Sequence, residues 1–255
     1  MADVVLSKRM QALTDMVTPG TAIADVGCDH GFVSVYLVQK GICPRAIAMD
    51  VRSGPLARAE EHIRAYGLTE QIETRLSDGL QQLRPGDATG MLCAGMGGRL
   101  MERILTEGRT VARGLEELIL QPQSELPEFR RFLMAEGYLL EEENIIYEEG
   151  KYYFLMKVHW QGEMTDEVVN RAVTASWLGE AGEPSLQYGR FLLERRDPVL
   201  QQYLERTLAD RRQIKERLGQ LADGENPRTG ERLADLDREI ADLAGALERY
   251  RKSLE

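Results

Sequence analysis

The residues best placed to do chemistry stand at the ends of four short apolar runs. The first run, Thr21–Val26, leads into Asp25-Val26-Gly27-Cys28-Asp29-His30-Gly31. A strand ending in Asp-x-Gly-x-x-x-Gly before a helix lets a ligand approach the backbone, because glycine has no Cβ in the way. By itself this pattern fits either a nucleotide-like ligand or a tight turn. It is not Gly-x-Gly-x-x-Gly, and no Walker lysine follows it. Asp29 would repel a pyrophosphate, so a ligand with a cationic centre fits better. The second run ends at Asp50, roughly twenty residues on, where an acidic side chain can accept from both ribose hydroxyls or cap the next helix. The third ends in Ser77-Asp78-Gly79, which suits the exocyclic amine of an adenine or an ordinary Asp-Gly turn. The fourth ends in Ala94-Gly95-Met96-Gly97-Gly98, where three glycines open the backbone to ligands or start a helix behind a packed methionine. Four such features on one sheet edge are far more specific than any one of them.

The elements that must position these residues follow from periodicity. Apolar runs at Thr21–Val26, Ala46–Asp50, Ile72–Leu76, Thr89–Ala94 and Glu117–Gln121 alternate with helix-length stretches. The stretches are Val33–Gln39, Pro55–Tyr66, Leu100–Thr106 and Leu126–Glu136. Such alternation predicts a parallel sheet with right-handed crossovers. Leu139–Glu148 and Tyr152–Trp160 flank Gly150-Lys151 and predict a closing antiparallel hairpin after five parallel strands. Residues 1–160 therefore form a Rossmann-like α/β domain, 161–188 a linker with a short helix, and 189–255 a helical domain. In the last of these, Leu200, Leu204, Thr207, Arg211, Ile214, Leu218 and Leu221 step by three and four. Leu233, Leu236, Ile240, Leu243, Leu247, Tyr250 and Leu254 do the same. Asp223-Gly224-Glu225-Asn226-Pro227 separates the two segments, so an antiparallel coiled-coil hairpin with a short, imperfect seam is expected. Such a hairpin serves as a structural appendage, a contact for a large substrate or a dimerisation arm.

Composition narrows the class. The chain has 255 residues, 43% hydrophobic and 29% charged, which is ordinary globular composition and excludes wholesale disorder. No apolar run approaches the ~20 residues of a membrane span, and Met1–Met10 has no signal-peptide core. Cys28, Cys43 and Cys93 form no Cys-x-x-Cys pair, which reads as reduced thiols in a cytoplasmic protein without a metal. The net charge of −10 excludes a generic nucleic-acid coat. The acid excess is spread evenly: residues 1–160 carry 17 basic against 23 acidic side chains, and the remainder 15 against 19. An RNA substrate would need the basic residues gathered on one face.

Together the four strand ends resemble a class I S-adenosylmethionine-dependent methyltransferase. More closely, Leu6–Met10 (LSKRM), Ala24–Ser34 (ADVGCDHGFVS), Ala94–Gly98 (AGMGG) and Leu118–Pro122 (LILQP) resemble the bacterial TrmK-type tRNA (adenine-22-N1)-methyltransferases. The likeness spans nearly the whole chain. Cys28, Gly31 and Ser34 depart from the serine, alanine and proline common at those positions. The resemblance implies S-adenosyl-L-methionine held by Asp25, Gly27, Cys28, His30, Gly31, Asp50, Val51, Asp78, Gly79, Gly95 and Met96. It implies a tRNA substrate met by Arg9, Gly97, Gly98, Arg99, Gln121 and Pro122, with no metal and no membrane. Nothing in it identifies a protein partner.

The implied acceptor can be weighed against the residues. Enzymes that methylate the exocyclic amine of adenine generally carry Asn/Asp-Pro-Pro-Tyr/Phe after the fourth strand, whereas this chain has neither proline nor aromatic there. The ring N1 has an in-plane lone pair, so positioning supplies much of the acceleration. The methylated base is cationic, and Asp29 is the candidate to stabilise that charge, or else caps the following helix. His30 contacts the base or the cofactor carboxylate, or simply packs. A paired N1 requires the base to be extruded, with Gly97 and Gly98 leaving room and Gln121 and Pro122 at its edge. Gln121 otherwise serves as a helix-cap partner. Arg99 and Arg103, one turn apart, suit phosphates, and Arg195-Arg196 and Arg211-Arg212 extend that track or form surface salt pairs. Methylation of another RNA or a small molecule, and a non-catalytic nucleoside-binding module, are the competing functions.

Overall fold

A computed structural model of the chain describes residues 3–221 and 227–251. The predicted alternation is present. The parallel strands are β1 (Ile23–Val26), β2 (Ala46–Asp50), β3 (Ile72–Leu76), β4 (Gly90–Met96) and β5 (Glu117–Pro122). The helices among and before them are α1 (Lys8–Asp15), α2 (Phe32–Gln39), α3 (Ser53–Ala65), α4 (Gly98–Glu107), α5 (Arg109–Ala112) and α6 (Leu126–Ala135). Strands β1, β2 and β5 are buried along their whole length, as expected where helices cover both faces of a parallel sheet.

The strands β6 (Tyr138–Glu148) and β7 (Lys151–Trp160) close the sheet in the order β3-β2-β1-β4-β5-β7-β6. The expected hairpin is there, but it folds back so that β7 pairs with β5. Only β7 therefore runs against the rest, and β6 at the edge is parallel to β5 again. Glu149 and Gly150 both have positive φ at the turn, +48° and +81°, which matches the twist of the flanking strands.

The order reverses between β1 and β4, which both pair with other parallel strands on their outer sides. A ligand site is expected outside the carboxyl ends of strands at such a switch point. The core behind it contains Leu13, Ile23, Val35, Leu37, Leu92 and Ile119, each at most 2% exposed.

The chain divides into a unit spanning Met1–Arg190 and a second spanning Phe191–Glu255. The segment expected to be a linker, 161–188, falls within the first unit. It holds α7 (Glu167–Leu178) and α8 (Glu183–Tyr188). Trp177 is 1% exposed and donates its indole N–H to the Tyr138 carbonyl at 2.7 Å. Arg130 is fully buried, donates to Glu143 at 3.2 Å, and reaches the Leu186 and Gln187 carbonyls at 3.2 Å. A buried cation with these partners ties α6, β6 and α8 together, which glycine and proline content did not reveal.

The second unit contains α9 from its second residue on (Arg190–Glu194), α10 (Pro198–Leu221) and α11 (Pro227–Arg251). Arg211 pairs with Glu239 and Lys215 with Asp237, so position rises on one helix as it falls on the other: an antiparallel hairpin. Leu200, Leu204, Leu236, Leu243 and Leu247 are buried, whereas Ile214 is 37% exposed. Leu208 is buried next to the expected seam residue Thr207. The seam is well packed toward Leu200 and loosens toward Ile214. The expected turn at 223–226 and seam position Leu254 lie outside the described residues.

Candidate functional site

A cavity of about 590 Å³ opens at the carboxyl ends of β1, β2, β3 and β4. Asp25, Gly27, Cys28 and Asp29 line it from β1 and its loop. Asp50 and Val51 line it from β2, Asp78 and Gly79 from β3, and Gly95 and Met96 from β4. Arg9 reaches it from α1. The cavity thus gathers these eleven residues, which the sequence assigned to cofactor or substrate.

Each carboxylate is held differently. Asp25 is 3% exposed and accepts a hydrogen bond from the Ser34 hydroxyl at 2.7 Å. Burial pushes its carboxyl up to about 6, and the Ser34 donors offset only part of that. Asp50 is buried and accepts from the Arg52 backbone N–H at 2.8 Å. The residue capping α3 is Arg52, so Asp50 is not that helix's cap. Asp78 receives both arms of the Arg103 guanidinium, at 2.9 and 3.1 Å, which holds its carboxyl below the usual range. Asp29 has φ +50° and a side chain 65% exposed, with His30 Nε2 at 3.7 Å. The α2 cap is Gly31 in the left-handed region, so Asp29 is not a cap either.

The glycines divide into two kinds. Gly27 has φ +78°, and a Cβ there would lie 2.1 Å from Met96 Cε, so the methionine sits directly on the loop. Gly95 has φ +79° at a register shift in β4, and a Cβ there would meet nothing closer than 3.7 Å. It is the bulge that turns Met96 into the cavity wall. Like Gly27, the others answer to packing. A Cβ on Gly31 would stand 2.9 Å from Ala59 Cβ, and one on Gly98 would stand 2.7 Å from the Ser124 carbonyl. Gly97 faces Ser124 Oγ at 3.0 Å on the same measure. The room expected beside Gly97 and Gly98 for an extruded base is filled by the loop entering α6.

Other expected site residues lie elsewhere. His30, Gly31, Gly97, Gly98, Arg99, Gln121 and Pro122 do not line the cavity. Gln121 is fully buried: its amide accepts from Arg9 at 2.9 Å and donates to the Pro122 carbonyl at 3.2 Å. It therefore anchors Arg9, whose guanidinium also lies 4.9 Å above the Tyr153 ring. Neither a helix cap nor a base-edge contact describes it. Pro122 ends β5 with no exposed edge. Arg103 is engaged by Asp78 and Glu107, Arg195 by Asp197, and Arg211 by Glu239, whereas Arg99 is 85% exposed beside Glu125. Arg195 and Arg211 thus form the surface salt pairs that are the other reading of those positions.

Sequence reasoning missed Leu100, Arg103 and Gln123 as cavity residues. Leu100 and Arg103 lie on one face of α4, a signal available once Gly98 is taken as that helix's start. Phe32, which the sequence shows only as part of the Ala24–Ser34 motif, is 39% exposed and stacked on His62 at 4.3 Å. All three cysteines are buried, and burial raises their thiols above the ordinary range, so none is a nucleophile. Among the described residues, no cluster of His, Cys, Asp and Glu could hold a metal ion. Among them too, no helix is long and apolar enough to cross a membrane.

The cavity suits S-adenosyl-L-methionine. Several carboxylates line it, which suits a ligand that carries an ammonium and a sulfonium, and Gly95 leaves open space at its rim. Comparison with known proteins agrees. Residues 6–156 match a methyltransferase-domain family. The tRNA (adenine(22)-N(1))-methyltransferase of Bacillus subtilis is 32% identical over 92% of this chain and 95% of its own. The crystal structure of the B. subtilis m1A22 tRNA methyltransferase TrmK superposes with a TM-score of 0.82 at 29% identity, covering 96% of this chain and all of that one. Streptococcus pneumoniae Sp1610, solved in complex with S-adenosyl-L-methionine, gives 0.77 at 30% identity, covering 95% of this chain and all of that one. This chain belongs to the tRNA (adenine(22)-N(1))-methyltransferase family, built on the class I methyltransferase fold.

Proposed function

We propose that the protein transfers a methyl group from S-adenosyl-L-methionine to N1 of an adenosine in bacterial tRNA, at position 22 in the D-arm region, in the cytoplasm. The observation that carries this reading is the carboxylate-lined cavity at the switch point, with Gly95-Met96-Gly97 where an amine methyltransferase would have a proline and an aromatic ring. When bound, the cofactor supplies an electrophilic methyl on a positively charged sulfur.

The chain's own residues then divide the work. Asp25, buried at the end of β1, takes the cofactor's ammonium. Asp50, its carboxylate plane set by the Arg52 N–H, takes the ribose hydroxyls. Asp78 accepts from the adenine amine, and Val51, 59% exposed, covers one face of that ring. Asp29 is the most exposed carboxylate of the cavity. It stabilises the positive charge that grows on the target base and accepts from that base's amine. No general base is needed, because N1 attacks with a lone pair already in its ring plane. Alignment of N1 with the methyl is the main contribution expected of the site. Arg9, held by Gln121 and Tyr153, and Arg99, exposed beside Glu125 at the start of α4, contact the tRNA backbone.

The test is methyl transfer from labelled S-adenosyl-L-methionine to bulk unmodified bacterial tRNA, followed by nuclease mapping. Label in 1-methyladenosine of the D-arm region is expected. Cofactor binding with no label in tRNA would move methylation of a small molecule, or a silent nucleoside-binding role, to the front.

A further inference from the structure

The geometry points to Arg103 as a positioning residue for the cofactor's adenine, acting through Asp78. This rests on reading the cavity as the S-adenosyl-L-methionine site. Arg103 Nη2 donates to Asp78 Oδ1 at 2.9 Å and Nη1 to Oδ2 at 3.1 Å. A paired fork of this kind fixes the carboxylate in the guanidinium plane. A carboxylate has about four acceptor sites, so two remain for the exocyclic amine. The neighbouring Ser77 hydroxyl is not available, because it donates to the Gly79 carbonyl at 2.8 Å and accepts from Gln82 N–H. The guanidinium also holds the Asp78 carboxyl below its ordinary range.

Stability does not account for the pair. The Arg103 and Asp78 side chains are 42% and 39% exposed, a setting in which ion pairs contribute little. Packing already joins the two elements: a Cβ on Gly79 would stand 2.9 Å from Ile104 Cγ1, and one on Gly108 would stand 2.6 Å from Leu80 Cβ. The salt pair therefore adds orientation to a joint that is already closed. Arg103 also donates to Glu107 at 3.2 Å, which holds the guanidinium from behind. The same helix begins at Gly98, beside the loop that follows β4, so adenine recognition and the substrate side share one rigid element.

Calorimetric titration with S-adenosylhomocysteine and with its 6-deamino analogue tests this. Arg103→Met is expected to weaken S-adenosylhomocysteine roughly tenfold, the loss of about one well-placed hydrogen bond to a charged group. The analogue, which has no amine for Asp78, should shift by less than twofold. Arg103→Lys keeps the charge but not the fork and should fall between. Melting curves show that each variant is folded. Equal weakening of both ligands by Arg103→Met would overturn the proposal in favour of a general charge effect. So would Asp78→Ala weakening only the amine-bearing ligand while Arg103→Met changes nothing. If Asp78→Ala leaves both ligands unaffected, the adenine subsite itself is misplaced, and the role of Arg103 falls with it.

Discussion

The two ends of the parallel sheet hold their buried carboxylates in opposite ways. At the amino end, Glu117 at the start of β5 is 3% exposed and surrounded by donors. It accepts from the Thr18 N–H at 3.0 Å, the Thr18 and Thr21 hydroxyls at 2.5 and 3.0 Å, and Lys157 Nζ at 2.6 Å. Burial alone would raise its carboxyl, but Lys157 and Thr18 outweigh burial and lower it. At the carboxyl end, Asp25 has the Ser34 donors, and its carboxyl stays raised to about 6. A buried charge left short of partners beside a cavity is poised for a cationic ligand; one that is saturated serves the fold.

The largest expected effect breaks the carboxyl end alone. Asp29→Ala should lower the methyl-transfer rate by about 10²-fold or more while cofactor affinity holds, the scale of losing one preorganised electrostatic partner. Single-turnover rates at saturating cofactor read this directly, and an unchanged rate removes Asp29 from the chemistry. Next comes the amino end. Glu117→Ala leaves Lys157 without its carboxylate and should destabilise the protein by about 3 kcal/mol, with cofactor affinity of the folded protein intact. Denaturant melts decide it. Because the folded carboxyl of Glu117 is lowered, its contribution is present at neutral pH and is lost as pH falls through that lowered value.

Asp50→Ala should weaken cofactor binding between about 10- and 100-fold, since two hydroxyl donors lose a charged acceptor. Unaltered affinity by calorimetry would sink the ribose role. The smallest effect is in pH. The Asp25 carboxyl titrates near 6, above its ordinary value of 3.8. Cofactor affinity should therefore rise by at most about tenfold per pH unit as pH climbs through 6 and then level off. The stability sign is the reverse. The folded state keeps a proton that the unfolded chain releases, so the contribution of Asp25 to stability falls as pH rises from about 4 to 6. Asp25→Asn should flatten the affinity profile and raise the melting temperature at pH 7. A variant that loses stability there would show that the Asp25 carboxylate serves the fold, as Glu117 does.

The comparison also explains which residues could be found in advance. Asp25, Asp50, Asp78 and Gly95 stand at strand ends, and strand ends are visible as the limits of apolar runs. The parallel order then brings them together without further information. Gln121 was found for the same reason and given the wrong task, because its two amide partners, Arg9 and the Pro122 carbonyl, come from the fold. Gly97 and Gly98 look in sequence like Gly95, yet Ser124 fills the space beside them. Arg103 could be placed on α4, but nothing local shows that its guanidinium turns to Asp78, 25 residues earlier.

By itself, then, the sequence determined the alternation of strands and helices, the sheet edge that carries the chemistry and the kinship of the chain. These depend on periodicity and on residue types at run ends, which are local. The tertiary structure decided that β7 inserts between β5 and β6, that residues 161–188 join the first unit, and which glycines face a ligand. It also decided which carboxylates are saturated and which are left wanting a partner. Those outcomes depend on burial and on donors far apart in the chain, and neither is written in any short stretch of residues.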